Sequence, residues 1–78
     1  MLEMRPCCEC CDKDLPADQP GAMVCSFECT FCEPCVDDVL RGVCPNCGGG
    51  FTARPTRTGR ALAKFPASTK RMVKVEGC

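Results

Sequence analysis

Eight cysteines set as four close pairs constrain this chain more than anything else in it. They are Cys8-x₂-Cys11, Cys25-x₃-Cys29, Cys32-x₂-Cys35 and Cys44-Pro45-Asn46-Cys47. A pair two residues apart turns a tight knuckle that presents both sulfurs to one ion. Zinc takes four ligands in a tetrahedron with sulfur at about 2.3 Å, so two pairs complete one site and four pairs make two. The chain has no His, so fully protein-ligated sites must be all cysteine. Cys7-x₂-Cys10 overlaps the first pair, and spacing alone leaves the frame open.

A chain of 78 residues with four Phe and no Trp or Tyr has little apolar material to bury. A core this small supplies roughly 3–5 kcal/mol at most, and small proteins make up the rest with disulfides, a metal or a partner. An odd total of eleven cysteines fits a closed disulfide framework poorly. The opening Met-Leu-Glu-Met-Arg-Pro holds no signal-peptide core, and no stretch approaches the roughly 20 apolar residues of a membrane helix. These features point to the cytoplasm, where thiols stay reduced and closely spaced cysteines bind metal.

Two arrangements of the pairs are possible. Consecutive pairing puts Cys8, Cys11, Cys25 and Cys29 on one ion and Cys32, Cys35, Cys44 and Cys47 on the other. Interleaving puts Cys8, Cys11, Cys32 and Cys35 on one, and Cys25, Cys29, Cys44 and Cys47 on the other. The twenty residues between Cys11 and Cys32 lie within the usual gap between zinc pairs. Interleaving also staples more of the chain together, and we favour it.

Gly48-Gly49-Gly50 favours no regular structure and marks a boundary. Residues 1–50 form the expected two-zinc domain and residues 51–78 a flexible, disordered basic tail. The first segment carries three Lys/Arg against nine Asp/Glu, and the second seven against one. Within the domain, Ala22-Met23-Val24 and Ser26-Phe27 suit a short hairpin. Glu33 to Gly42 suits one short helix, with Pro34 in its first turn, Gly42 as C-cap, and Val36, Val39 and Leu40 on one apolar face. The expected fold is a small metal-stabilised α+β domain.

The order of pairs and the Cys-Pro-x-Cys knuckle resemble the RING finger, a two-zinc cross-brace on a treble-clef-like scaffold. Cys29 stands where RING domains usually carry His, so the resemblance implies an all-cysteine variant over Cys8 to Cys47. RING ligases recruit their partner enzyme through an apolar residue before the second ligand, an aromatic after the helix and often a basic residue after the last ligand. Here those places hold Cys10, no aromatic between Cys35 and Cys47, and Gly48, so that activity does not carry over. The opening Met-Leu-Glu-Met-Arg-Pro and Cys25-Ser-Phe-Glu-Cys-Thr-Phe-Cys also resemble a family of short bacterial proteins of unknown function. That resemblance selects the Cys8/Cys11 frame and leaves Cys7 and Cys10 outside the ligand set, while Cys78 is expected to be a free, exposed thiol with no role.

Catalytic zinc keeps an open position, and four cysteines per ion leave none, so an enzyme is not expected. No small-molecule substrate is implied. The expected role is that of a monomeric interaction module or adaptor that binds another protein. The alternative is a nucleic-acid accessory factor contacting phosphates through Arg54, Arg57 and Arg60, which recur every third residue. The lack of exposed aromatics for base stacking argues against sequence-specific reading.

Overall fold

The computed structural model describes residues 2–74. Three short strands form an antiparallel sheet in the order β2-β1-β3: β1 is Ala22–Val24, β2 is Thr30–Cys32 and β3 is Thr52–Ala53. The first two make a hairpin that pairs Ala22 with Cys32, Met23 with Phe31 and Val24 with Thr30. β3 adds to the other edge of β1, pairing Ala53 with Met23 and Thr52 with Val24.

The hairpin's second strand differs from the expected Ser26-Phe27. Those residues form its turn instead, closed by Glu28 N–H donating to the Cys25 carbonyl at 3.0 Å. Glu28 adopts φ 65°, a left-handed conformation that a strand does not contain. The turn brings Cys25 and Cys29 together, and the strand resumes at Thr30.

The expected helix is shorter and wider than an α-helix. A π turn spans Cys35–Val39, with Leu40 N–H donating five residues back to the Cys35 carbonyl at 2.8 Å. The widened turn changes the angular spacing of the side chains. Val36 is buried, whereas Val39 is half exposed and leaves the expected apolar face. Arg41 and Gly42 then take positive φ and end the turn.

The core centres on fully buried Phe31, packed edge-on against Phe51 with ring centroids 5.6 Å apart. Leu15, Ala22, Val36 and six cysteine side chains surround it. Phe51 and β3 lie beyond Gly48-Gly49-Gly50, so the glycines connect two parts of one sheet and core. The expectation of a free tail from residue 51 gives way here to strand pairing and packing. The reason is Arg54: its residue is buried, its N–H donates to the Ala22 carbonyl, and its guanidinium reaches the carbonyls of Arg5, Leu15 and Pro16 at 2.8, 2.9 and 3.3 Å. A cation that fills its donors with buried carbonyls ties the chain down as firmly as an apolar anchor does.

Farther on, Arg57 donates to the carbonyls of Leu2 and Phe65 at 2.7 and 2.8 Å. The short helix α1, Gly59–Lys64, buries none of its residues. Ser68 N–H donates to the Met4 carbonyl, Lys74 N–H to the Glu9 carbonyl, and Arg71 pairs with Asp12 and Asp14 at 2.8 and 2.9 Å. The basic segment runs along the acidic domain. Cys78 lies outside the described residues.

Candidate metal centre

The first pair sits in a loop closed on itself by two backbone hydrogen bonds, Cys8 N–H to the Lys13 carbonyl and Asp12 N–H to the Cys8 carbonyl, at 2.9 and 3.0 Å. Asp12 takes the left-handed conformation that lets the loop turn back. The backbone N–H of Cys10 donates to the Cys8 sulfur at 3.3 Å. Cys32 ends β2 and Cys35 opens the π turn, so strand and turn aim their sulfurs back at this loop.

The sulfurs of Cys8, Cys11, Cys32 and Cys35 all lie within 4.8 Å of one another. Those of Cys11 and Cys32 are 3.6 Å apart. A tetrahedron with sulfur about 2.3 Å from zinc has an edge of about 3.8 Å. A disulfide needs about 2.05 Å, so the cluster has the dimensions of a metal site and not of a bridge. A four-iron cluster attaches each cysteine to a different iron, and a two-iron cluster divides four cysteines between its two irons. Either holds some of the sulfurs farther apart than a single tetrahedral ion does.

A second group forms from Cys25, Cys44 and Cys47. Phe27 N–H donates to the Cys25 sulfur at 3.3 Å, repeating the pattern of the first knuckle. Cys44 and Cys47 are brought together by Gly48 N–H on the Cys44 carbonyl and Cys44 N–H on the Gly49 carbonyl, both at 2.8 Å. Gly48 has φ 77°, a conformation side chains rarely adopt, which explains glycine after the knuckle.

Cys29, expected as the fourth member, is not within 4.8 Å of all three. It is buried beside them and hydrogen-bonds to Cys25, while its sulfur accepts from Asn46 Nδ2 at 3.4 Å. The thiols thus fall into two groups, Cys8, Cys11, Cys32 and Cys35 in the first and Cys25, Cys44 and Cys47 in the second. Cys7 is buried away from both groups, where burial and its hydrogen bond to Asp12 push its thiol up.

Burial and crowding shift several of these thiols in both directions. Burial and the neighbouring thiols push Cys35 well up, and burial raises Cys32, Cys29 and Cys44. Burial also opposes ionisation of Cys25, but the N–H groups of Phe27 and Cys29 and the nearby thiols outweigh it and bring it down to about 7. Cys11 is lowered against burial by the Lys13 backbone and its cysteine neighbours. Packed thiols cannot all ionise without a cation to balance them. Clusters of such thiols therefore fit a divalent ion.

The side chains missed by the spacing argument lie between the ligands. Glu9, inside the first knuckle, is buried, and its carboxylate meets Arg5 Nη1 at 2.6 Å and Thr30 N–H at 2.8 Å. Burial works against the Arg5 charge, but the Glu9 and Glu3 carboxylates outweigh it and hold its pKa above the ordinary value. Asn46, inside the fourth knuckle, reaches both Glu9 and Cys29. The only available signal was a polar residue in a two-residue spacer. Of the expected nucleic-acid contacts, Arg54 and Arg57 are engaged with backbone carbonyls, and Arg60 is exposed on α1.

A family model described as "Protein of unknown function (DUF1272)" matches residues 1–57. An uncharacterized protein, R02474, of Rhizobium meliloti (strain 1021) is 56% identical over 78 residues, covering 100% of this chain and 93% of the relative. No solved structure matches the chain. The chain belongs to the DUF1272 family, and its cysteine clusters fit a zinc finger.

Proposed function

We propose that this family member is a zinc-stabilised protein-interaction module, folded around two structural zinc ions in a cross-brace and acting as an adaptor rather than an enzyme. The observation that carries the metal reading is the convergence of the Cys8, Cys11, Cys32 and Cys35 sulfurs at zinc-site spacing. In the second centre, Cys29 completes the set with Cys25, Cys44 and Cys47. Zinc suits an all-thiolate tetrahedral site. Four protein ligands leave no open position for a substrate, which supports a structural role. The free thiols of the two clusters suit a reducing compartment, and we place the protein in the cytoplasm. No helix among the described residues is long and apolar enough to cross a membrane.

Support for the interaction role comes from apolar side chains left in solvent around the knuckles. Phe27 at the tip of the second knuckle is 72% exposed, and Val39 and Val43, flanking the end of the π turn, are 50% and 52% exposed. A hollow of about 370 Å³ beside Phe27 is lined by Cys29, Asn46 and Cys47. Apolar anchors of this kind contribute most of the affinity in protein interfaces. Affinity capture from the native cell tests the role with the full chain and the Phe27→Ser, Val43→Ser double variant. Both should hold equal zinc, and a specific protein should be captured only by the parent chain. Capture of the same proteins by both would overturn the assigned surface.

A further inference from the structure

A line of buried polar groups joins the two thiol clusters. Glu9 lies between Cys8 and Cys11, so its backbone is part of the first centre's knuckle. Its side chain turns inward, and the residue is 6% exposed. Oε2 accepts from Arg5 Nη1 at 2.6 Å and from Thr30 N–H at 2.8 Å. In return Glu9 N–H donates to the Thr30 carbonyl at 3.0 Å. Thr30 is itself fully buried and follows Cys29 directly. The Glu9 carboxylate is therefore fixed at both ends, to the first knuckle and to the residue after Cys29.

Its other oxygen, Oε1, accepts from Asn46 Nδ2 at 3.3 Å. Asn46 lies between Cys44 and Cys47, inside the second centre, and the same nitrogen stands 3.4 Å from the Cys29 sulfur. Both partners of this amide are acceptors, one a carboxylate and the other a sulfur that binds metal as a thiolate. Only the NH₂ end, with two hydrogens, satisfies both at once. Cys29 is also the sulfur that stands apart from the other three of its centre.

We propose, on the reading of the clusters as zinc centres, that Glu9 and Asn46 form a relay that makes loading of one centre depend on loading of the other. Metal in the first centre fixes the Cys8–Cys11 knuckle and with it the Glu9 carboxylate. Glu9 holds the Asn46 amide, and the amide holds the Cys29 sulfur where it completes the second centre. The elements with two states are the knuckles, ordered with metal and loose without it, so each ion biases the other's site. Coupling between two binding sites is reciprocal. Asn46 is a positioning residue, since it acts on metal only through Cys29. Loss of a hydrogen-bond partner behind a metal ligand costs about ten- to a hundred-fold in affinity.

Withdrawal of zinc from the loaded full chain by a chromogenic chelator tests the relay, with the two centres followed separately by cadmium-113 spectra of the cadmium-loaded protein. The parent chain should release both ions in one cooperative step. Asn46→Ala should release them in two steps, with the Cys25/Cys29/Cys44/Cys47 ion leaving first at about ten-fold or more weaker affinity and its cadmium resonance displaced. Glu9→Gln keeps the shape but weakens the acceptor for Asn46, and it should split the release in the same order. This second variant decides the matter if Asn46→Ala does not fold. Single-step release at parental affinity from the folded variant, or independent release already in the parent, would overturn the relay while leaving two zinc sites in place. A parent chain that takes up no zinc would overturn the metal reading, and the relay with it.

Discussion

The two thiol clusters are built from the same parts but stand differently. In the first, four sulfurs converge between a self-closed loop, the end of β2 and the start of the π turn. In the second, three converge, and Cys29 stands beside them with its sulfur accepting from Asn46. The first is braced from outside, because Arg54 ties together the carbonyls of Arg5, before its knuckle, and of Leu15 and Pro16, after it. The second rests on the exposed hairpin tip that carries Phe27. One centre is set by the fold around it, and the other depends more on polar side chains within it.

Metal removal should have the largest effect, because it erases both sides of the comparison. Structural zinc contributes on the order of 10–16 kcal/mol in small zinc domains near neutral pH, more than a core around Phe31, Leu15 and Val36 offers. Amide dispersion in an NMR spectrum should collapse on chelation. A metal-free chain that keeps its dispersion would show that the thiols merely pack.

Single ligand changes sharpen the contrast. Cys8→Ser and Cys32→Ser each remove one of four converged sulfurs, and both should abolish a stable fold. Cys29→Ser should be milder than Cys25→Ser, leaving a second centre that binds zinc more weakly while the first stays loaded. Metal content and thermal melting of the four variants measure this. Equal loss from Cys25→Ser and Cys29→Ser would erase the distinction within the second centre.

Arg54→Ala should act on the first centre. It removes three hydrogen bonds from a buried guanidinium and should cost about 2 kcal/mol, while Arg54→Lys restores little because a point charge cannot match the fork. Denaturant unfolding of the zinc-loaded protein gives the number, and the first centre's zinc affinity should fall with it. An unchanged midpoint would mean that residues beyond Gly50 do not brace the domain.

Acidification should strip both centres along similar curves. Each holds two thiols raised by burial and neighbours, Cys32 and Cys35 in the first, Cys29 and Cys44 in the second. A raised thiol keeps its proton at neutral pH, so zinc must displace it, and apparent affinity rises with pH and is lost as pH falls. Cys25, brought to about 7, stops contributing to this slope above neutrality. Zinc-competition titrations between pH 6 and about 8 would show the slopes, and a pH-independent centre would break the symmetry.

The smallest effect belongs to Arg71→Ala. Its pairs with Asp12 and Asp14 are exposed, so their loss should speed amide exchange at Ser68 and Lys74 and leave metal binding unchanged.

How much of this was legible follows from what each signal depends on. Ligand spacing is local, so the four pairs could be read from Cys8 to Cys47 without knowing the fold, whereas their grouping was a choice between two arrangements. The hairpin's first strand was legible in Ala22-Met23-Val24, but its partner was displaced, because the residues between Cys25 and Cys29 turn around a sulfur instead of extending. The Val36/Val39/Leu40 face assumed α-helical spacing, which the π turn does not keep. Arg54 looked like a tail residue because a basic side chain gives no sequence sign of the carbonyls it will meet. Glu9 and Asn46 were hidden for a related reason, since their partners lie 21 and 37 residues away in the chain.

Native mass spectrometry of the full chain, purified under reducing conditions near neutral pH, tests the central claim most directly. The account predicts two zinc ions per chain, lost on acidification. A single ion, or added mass from iron and sulfide, would contradict it.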